Sequence, residues 1–158
     1  DSVFKEKDIT TKDENGVEKT TKGYDTDAIY KAVSAFADDY NSVLSAAAKS
    51  KNSSVVSTAS NMVQQTVANE KMLSRIGITI GEDNKLSVDE KKLKAADMTT
   101  VKSMMNGNGS FAYGVQTKAS FISMYAKNDQ NKASGVYGSS ATYTASLFSN
   151  GDIWNSFI

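Results

Sequence analysis

Carboxylates are the side chains of this sequence whose types and spacing first suggest chemistry. Asp38-Asp39 and Asp89-Glu90 are adjacent acidic pairs, and Asp13-Glu14 and Glu82-Asp83 stand in segments that also carry Asn and Gly. Histidine and cysteine are both absent. The first absence removes the commonest general base near neutral pH and the commonest transition-metal ligand. The second removes disulfides, thiolate nucleophiles and cysteine-ligated metal sites. Carboxylate acid–base chemistry and oxygen-ligated Mg²⁺ or Ca²⁺ remain. Neighbouring residues on a helix point in different directions, so neither acidic pair converges on one substrate atom. A glycosidase-type dyad would need two acids from distant segments, and no spacing selects such a pair. Counting Thr11 as position one, Asn15 and Gly16 fall in EF-hand places, but Lys22 stands at position twelve, where a bidentate Glu belongs. Glu82-Asp83-Asn84 lacks that spacing altogether. The expectation is no catalytic residue, no metal and no cofactor.

Three further patterns read as structure. Gly107-Asn108-Gly109-Ser110-Phe111-Ala112 matches G-x-G-x-x-A, with Asp129 twenty residues beyond Gly109. A dinucleotide site needs a strand before that turn, whereas the preceding segment reads as helix, so a turn between helices is expected. Lys91-Lys92-x-Lys94 is the densest basic cluster, but it follows Asp89-Glu90 and has no interleaved aromatics. It reads as a solvated face, not a nucleic-acid site. Tyr113, Tyr125, Tyr137 and Tyr143 are scattered over helix and loop, as ordinary packing requires.

The elements that position these residues follow from composition and periodicity. The 158 residues fit one domain (1–158), and 18 basic residues balance 18 acidic ones. A net charge of zero supplies no global attraction to nucleic acid or anionic membrane, and no apolar run approaches the ~18 residues of a membrane span. The chain opens on Asp1, not Met, and reads as a fragment or processed chain. Proline is absent, where average usage would supply roughly eight in a chain this long; a largely helical chain is the natural consequence. Residues 1–24 read as an extended segment with an Asn15-Gly16 hairpin turn. Ile29, Val33, Phe36, Tyr40, Val43, Leu44 and Ala47 recur at helical spacing behind an Asp25 or Thr26 cap. A second helix is expected over about residues 54–75, with Val55, Ala59, Met62, Val63, Thr66, Leu73 and Ile76 on its apolar side and Asn69-Glu70 interrupting the stripe. Gly77 ends it, a β-hairpin follows at 78–88, short helices follow Asp89 and precede Asn106, and a third long helix runs from 110 to about 128. The fold class expected is mainly α: an antiparallel bundle of three longer helices over 25–128, with a small β-hairpin and an N-terminal ribbon.

Residues 129–146 are rich in Ser, Gly, Ala and Tyr and read as loop or mobile arm, after which the chain turns apolar. Leu147, Phe148, Ile153, Trp154, Phe157 and Ile158 form this tail. Ile153 with Phe157, and Trp154 with Ile158, are i,i+4 pairs that present a wide apolar surface on a short segment. The tail is expected either to fold back on its own helices or to dock on a partner or second copy.

Four stretches occur in an order that resembles the flagellar filament cap, or hook-associated, family. Ala35-Phe36-Ala37-Asp38-Asp39-Tyr40-Asn41-Ser42-Val43-Leu44 resembles its F-V-x-x-Y-N-x-L helix, and Met72-Leu73-Ser74-Arg75-Ile76-Gly77-Ile78-Thr79-Ile80 its L-x-x-L-G-I-T element. Residues 83–96 are similar to d-G-x-L-S-h-D-x-x-K-L-x-x-A, with Asn84 where that pattern has Gly. Residues 101–111 follow V-x-x-L-F-x-G-x-x-G spacing, with Met104-Met105 in place of Leu-Phe. The resemblance covers about half the chain, residues 32–111. It implies an exported, non-enzymatic structural module, extracellular or on the cell surface, whose partners are itself or flagellin-like helical proteins. The alternative class is a secreted ligand-binding module for glycan or peptide, using exposed Tyr and Asn.

Overall fold

The structure, a computed structural model, describes residues 3–134. It is mainly helical with two small antiparallel sheets, in the order β1 (Lys7–Lys12), β2 (Glu18–Gly23), α1 (Thr26–Ala48), α2 (Ser53–Ala68), α3 (Glu70–Arg75), β3 (Ile78–Ile80), β4 (Leu86–Val88), α4 (Glu90–Ala95), α5 (Met98–Met105) and α6 (Phe111–Ser134).

The β1–β2 ribbon pairs Lys7 with Gly23 and Lys12 with Glu18. Its turn closes because Asp13 Oδ1 accepts from the amides of Asn15 and Val17, both at 2.9 Å, while Gly16 takes φ 79°. The strands are exposed along almost their whole length, and the apolar anchor of this region is Phe4, which is buried ahead of them.

Helix α1 starts where Asp25 Oδ1 accepts from Ala28 N at 2.9 Å, satisfying one amide of the first turn. The expected stripe of Ile29, Val33, Phe36, Tyr40, Val43 and Ala47 is buried, together with Ala37, and Leu44 is half-buried at its edge. A short link reaches Asn52, whose Oδ1 accepts from Ser54 N (2.8 Å) and Val55 N (3.2 Å) to cap α2. Val55, Ala59, Met62 and Thr66 form the buried side of α2.

The single helix expected over 54–75 is divided at Asn69. Its side-chain Nδ2 donates to the Gln65 carbonyl at 2.8 Å, and its amide bonds three residues back to Thr66 O at 3.0 Å. An asparagine that takes the carbonyl four residues back competes with the helix ladder at that point. Helix α3 restarts on the Asn69 carbonyl, which accepts from Met72 N and Leu73 N. The offset still buries Leu73 and Ile76.

Gly77 follows at φ 81°, and a Cβ there would lie 2.8 Å from Leu93 N, so glycine is required both by conformation and by the close approach of α4. The β3–β4 hairpin pairs Ile78 with Val88 and Ile80 with Leu86. Asp89 caps α4 by accepting from Lys92 N at 3.0 Å, and Asp97 caps α5 by accepting from Thr99 N and Thr100 N. The last helix, α6, continues to Ser134, six residues beyond the expected end. It lies antiparallel to α2: Gln65 meets Phe111 and Lys118 near one end of the pair, and Asn52 meets Tyr125 and Asp129 near the other. Between them Gly114 gives Gln65 room, since a Cβ at that position would fall on the Gln65 amide.

Candidate functional site

Five of the acidic residues are taken up by turns and caps. Asp13 and Asp83 hold hairpin turns; Asp25, Asp89 and Asp97 cap helices. The Ala28 amide, with help from Lys7, holds the Asp25 carboxyl below its usual range. The Lys85 amide and ammonium do the same for Asp83, and the Thr100 hydroxyl and amide for Asp97. Asp39 moves the other way, because half-burial and then the Asp38 charge beside it both disfavour its ionised form. Among the described residues, no group of three or more acidic side chains is placed to hold a metal ion.

In the basic cluster, Lys94 is tied to Asp27 and Glu90 and sits 5.5 Å from the centroid of the Tyr30 ring. Those two carboxylates hold its ammonium well above the ordinary lysine range. Lys91 and Lys92 are exposed. Gly107 and Gly109, at φ 89° and 85°, form a turn between α5 and α6 with no strand ahead of it. Tyr113 is exposed on α6, and Tyr125 stacks on Phe121 with ring centroids 6.4 Å apart. Tyr137 and Tyr143 lie outside the described residues.

Helix α1 meets β4, α4 and the start of α6, and β3 joins α4 through its own main chain. Asn41 Nδ2 donates to Leu86 O at 2.9 Å, and Asn41 Oδ1 accepts from Leu86 N at 2.7 Å. One side-chain amide thus satisfies both main-chain groups of a strand residue, as a neighbouring strand would. Phe111, which opens α6, meets Phe36 of α1 edge to face with centroids 5.9 Å apart. Gly77 accepts at its carbonyl from Asp89 N at 2.8 Å, joining the β3 and α4 stretches.

The interaction residues singled out in the sequence, Leu147, Phe148, Ile153, Trp154, Phe157 and Ile158, all lie outside the described residues. What the structure adds is an apolar groove of about 280 Å³ between the C-terminal half of α1 and the N-terminal half of α2. Leu44, Ala47 and Ala48 form one side, Val56, Ala59, Ser60 and Val63 the other, and Asn84 of the β3–β4 turn also lines it. Its volume falls at the lower edge of ordinary small-molecule sites and suits a few apolar side chains. Leu44, Ala47, Ala59 and Val63 belong to the apolar stripes expected from the sequence, whereas Val56 and Ala48 do not. Val56, Val63 and Val67 recur at i, i+7 and i+11, and this second apolar row was the signal available. Val56 and Val67 are 47% and 49% exposed. Helix α6 is likewise two-sided, with Tyr113, Phe121 and Met124 exposed opposite its buried face. No helix among the described residues is long and apolar enough to cross a membrane.

Comparison with protein-family models, with curated proteins and with solved structures finds no match to this chain.

Proposed function

We propose that the chain is a non-enzymatic, extracellular structural and assembly module resembling the flagellar filament cap family, built as an antiparallel bundle of α1, α2 and α6. It associates with itself or with flagellin-like helical subunits through apolar surface, chiefly the tail 147–158. The observation that carries this reading is the Asn41–Leu86 clamp. It joins the Tyr-Asn helix to the Leu-Ser-Val strand, two of the stretches in which the resemblance lies, although 45 residues separate the clamped pair. A ligand-binding module for glycan or peptide has less support, since the groove lining holds no aromatic ring on which a sugar could stack.

Immobilised full-length chain is expected to retain purified flagellin-type helical subunits, and a chain lacking 147–158 to lose them. Equal, background-level retention by both forms, together with an absence of self-association, contradicts the proposal.

A further inference from the structure

The α1–α2 groove leaves apolar surface open on the described chain. Asn52 caps α2 and its Nδ2 donates to Asp129 Oδ2 at 2.6 Å and to the Tyr125 carbonyl at 3.4 Å. The last turns of α6 therefore pass the N-terminus of α2, one turn from Val56 on the groove wall. From Asp129 the helix rises only about 7 Å to Ser134. Residues 135–146 can then span up to roughly 40 Å when extended, ample for return to the groove mouth.

The chemistry on the two sides agrees. Five of the eight groove-lining residues are Ala or Val, a sixth is Leu44, and the polar ones are Ser60 and Asn84. Segment 147–158 carries six large apolar residues and a single charged side chain, Asp152. A covalently tethered segment also meets its groove at an effective concentration of order mM, well above that of a second copy in dilute solution.

We propose that the groove bounded by Leu44, Ala47, Val56, Ser60 and Val63 is the docking site for residues 147–158 of the same chain. A docked tail buries the surface assigned above to assembly. The docking stands on the groove and the reach of the chain; only its consequence, that docking restrains association, rests on the assembly reading.

Trp154 is the only tryptophan in the chain, so its fluorescence reports the tail directly. In the full-length protein its emission is expected to be blue-shifted and shielded from acrylamide, and to stay so on dilution. Val56→Lys and Ser60→Lys place an ammonium in the groove from exposed positions. Each should shift the emission to that of solvated indole and raise the quenching constant severalfold, with helical circular dichroism retained. Val67→Lys, on the same helix but outside the groove, should leave both unchanged. A bimane label on Ser60→Cys, introduced into this cysteine-free chain, should be quenched by Trp154 and recover in the Trp154→Phe background. Solvent-like emission in the wild type, a bimane signal indifferent to Trp154, or protection lost on dilution (a tail held by a second copy) would each overturn the proposal. Sedimentation separates the two readings: freed tails should raise association in Val56→Lys. Unchanged association beside a clear spectral shift leaves the docking standing and removes the restraint.

Discussion

Asn41, Tyr40 and Asp39 are consecutive on α1 and make three different demands on the fold. Asn41→Ala removes both bonds to Leu86 and strands a partly buried amide and carbonyl; a loss of about 1–3 kcal/mol is expected from urea denaturation. Asn41→Asp keeps only the acceptor and should recover part of that loss. The Tyr40 ring is buried at 1% exposure, but its hydroxyl meets no hydrogen-bond partner by distance and angle among the described residues. The Thr66 hydroxyl donates instead to the Met62 carbonyl at 2.9 Å. Tyr40→Phe is therefore expected to be neutral or slightly stabilising in the same assay, whereas Tyr40→Ala should cost about 3–5 kcal/mol, as for other large buried rings. Burial pushes the Tyr40 phenol pKa up, so it stays neutral through the physiological range.

Asp39 gives a pH test with a definite sign. Its folded-state pKa is raised, so its favourable contribution is present in the protonated form and is lost as pH rises through the folded value. Asp39→Asn should be more stable than the wild type at neutral pH, and the difference should close as pH falls below the unfolded value of 3.8. Asp25 and Asp97 act in the opposite sense. Their pKa values are lowered, so their stabilisation is present above 3.8 and lost as pH falls through the folded values. Thermal melts of the three Asn variants between pH 3 and 7, a span chosen around the ordinary Asp pKa, check the set.

At the scale of elements, Gly77 and Gly16 separate conformational strain from steric approach. Both have positive φ, but a Cβ at Gly16 meets nothing within 4 Å, while one at Gly77 collides with the α4 main chain. Gly16→Ala should cost about 1–2 kcal/mol of local conformational strain. Gly77→Ala should cost more, because α4 must also shift, and hydrogen exchange should show that loss concentrated in β3, β4 and α4. Asn84 belongs to the same logic. At φ 62° it occupies the left-handed region, where Asn is tolerated and Gly is unstrained.

Much of the element layout was legible because its signals are local. The α1 stripe, the Asp25 cap, the two hairpin turns and Gly77 all announce themselves within a few residues. The break at Asn69 was visible only as a polar interruption, because the side-chain bond to Gln65 that makes it a break is invisible in a periodicity count. The continuation of α6 past residue 128 was missed for the converse reason. Residues 129–134 carry little apolar signal, yet they extend a helix already begun, and propagation adds a hydrogen bond per residue without new nucleation. Asn41 stood out within a motif, but its partner Leu86 is 45 residues away, and no local pattern names such a pair.

At the scale of the molecule, the second apolar row of α2 is legible in the sequence, but which row stays open as a groove is not, because exposure is a property of the packed whole. A second apolar row on α2 becomes a surface only once the first row has been spent against α1 and α6. The proposed function joins two parts: a helical frame in which Asn41 ties α1 to β4, and an apolar tail proposed as the assembly element. Sedimentation velocity over a concentration series, on the full chain and on a chain lacking 147–158, tests that joined claim most directly. The account predicts reversible, concentration-dependent association of the full chain that disappears with the tail. Identical monomers for both, and for Val56→Lys with its freed tail, at every concentration would contradict it.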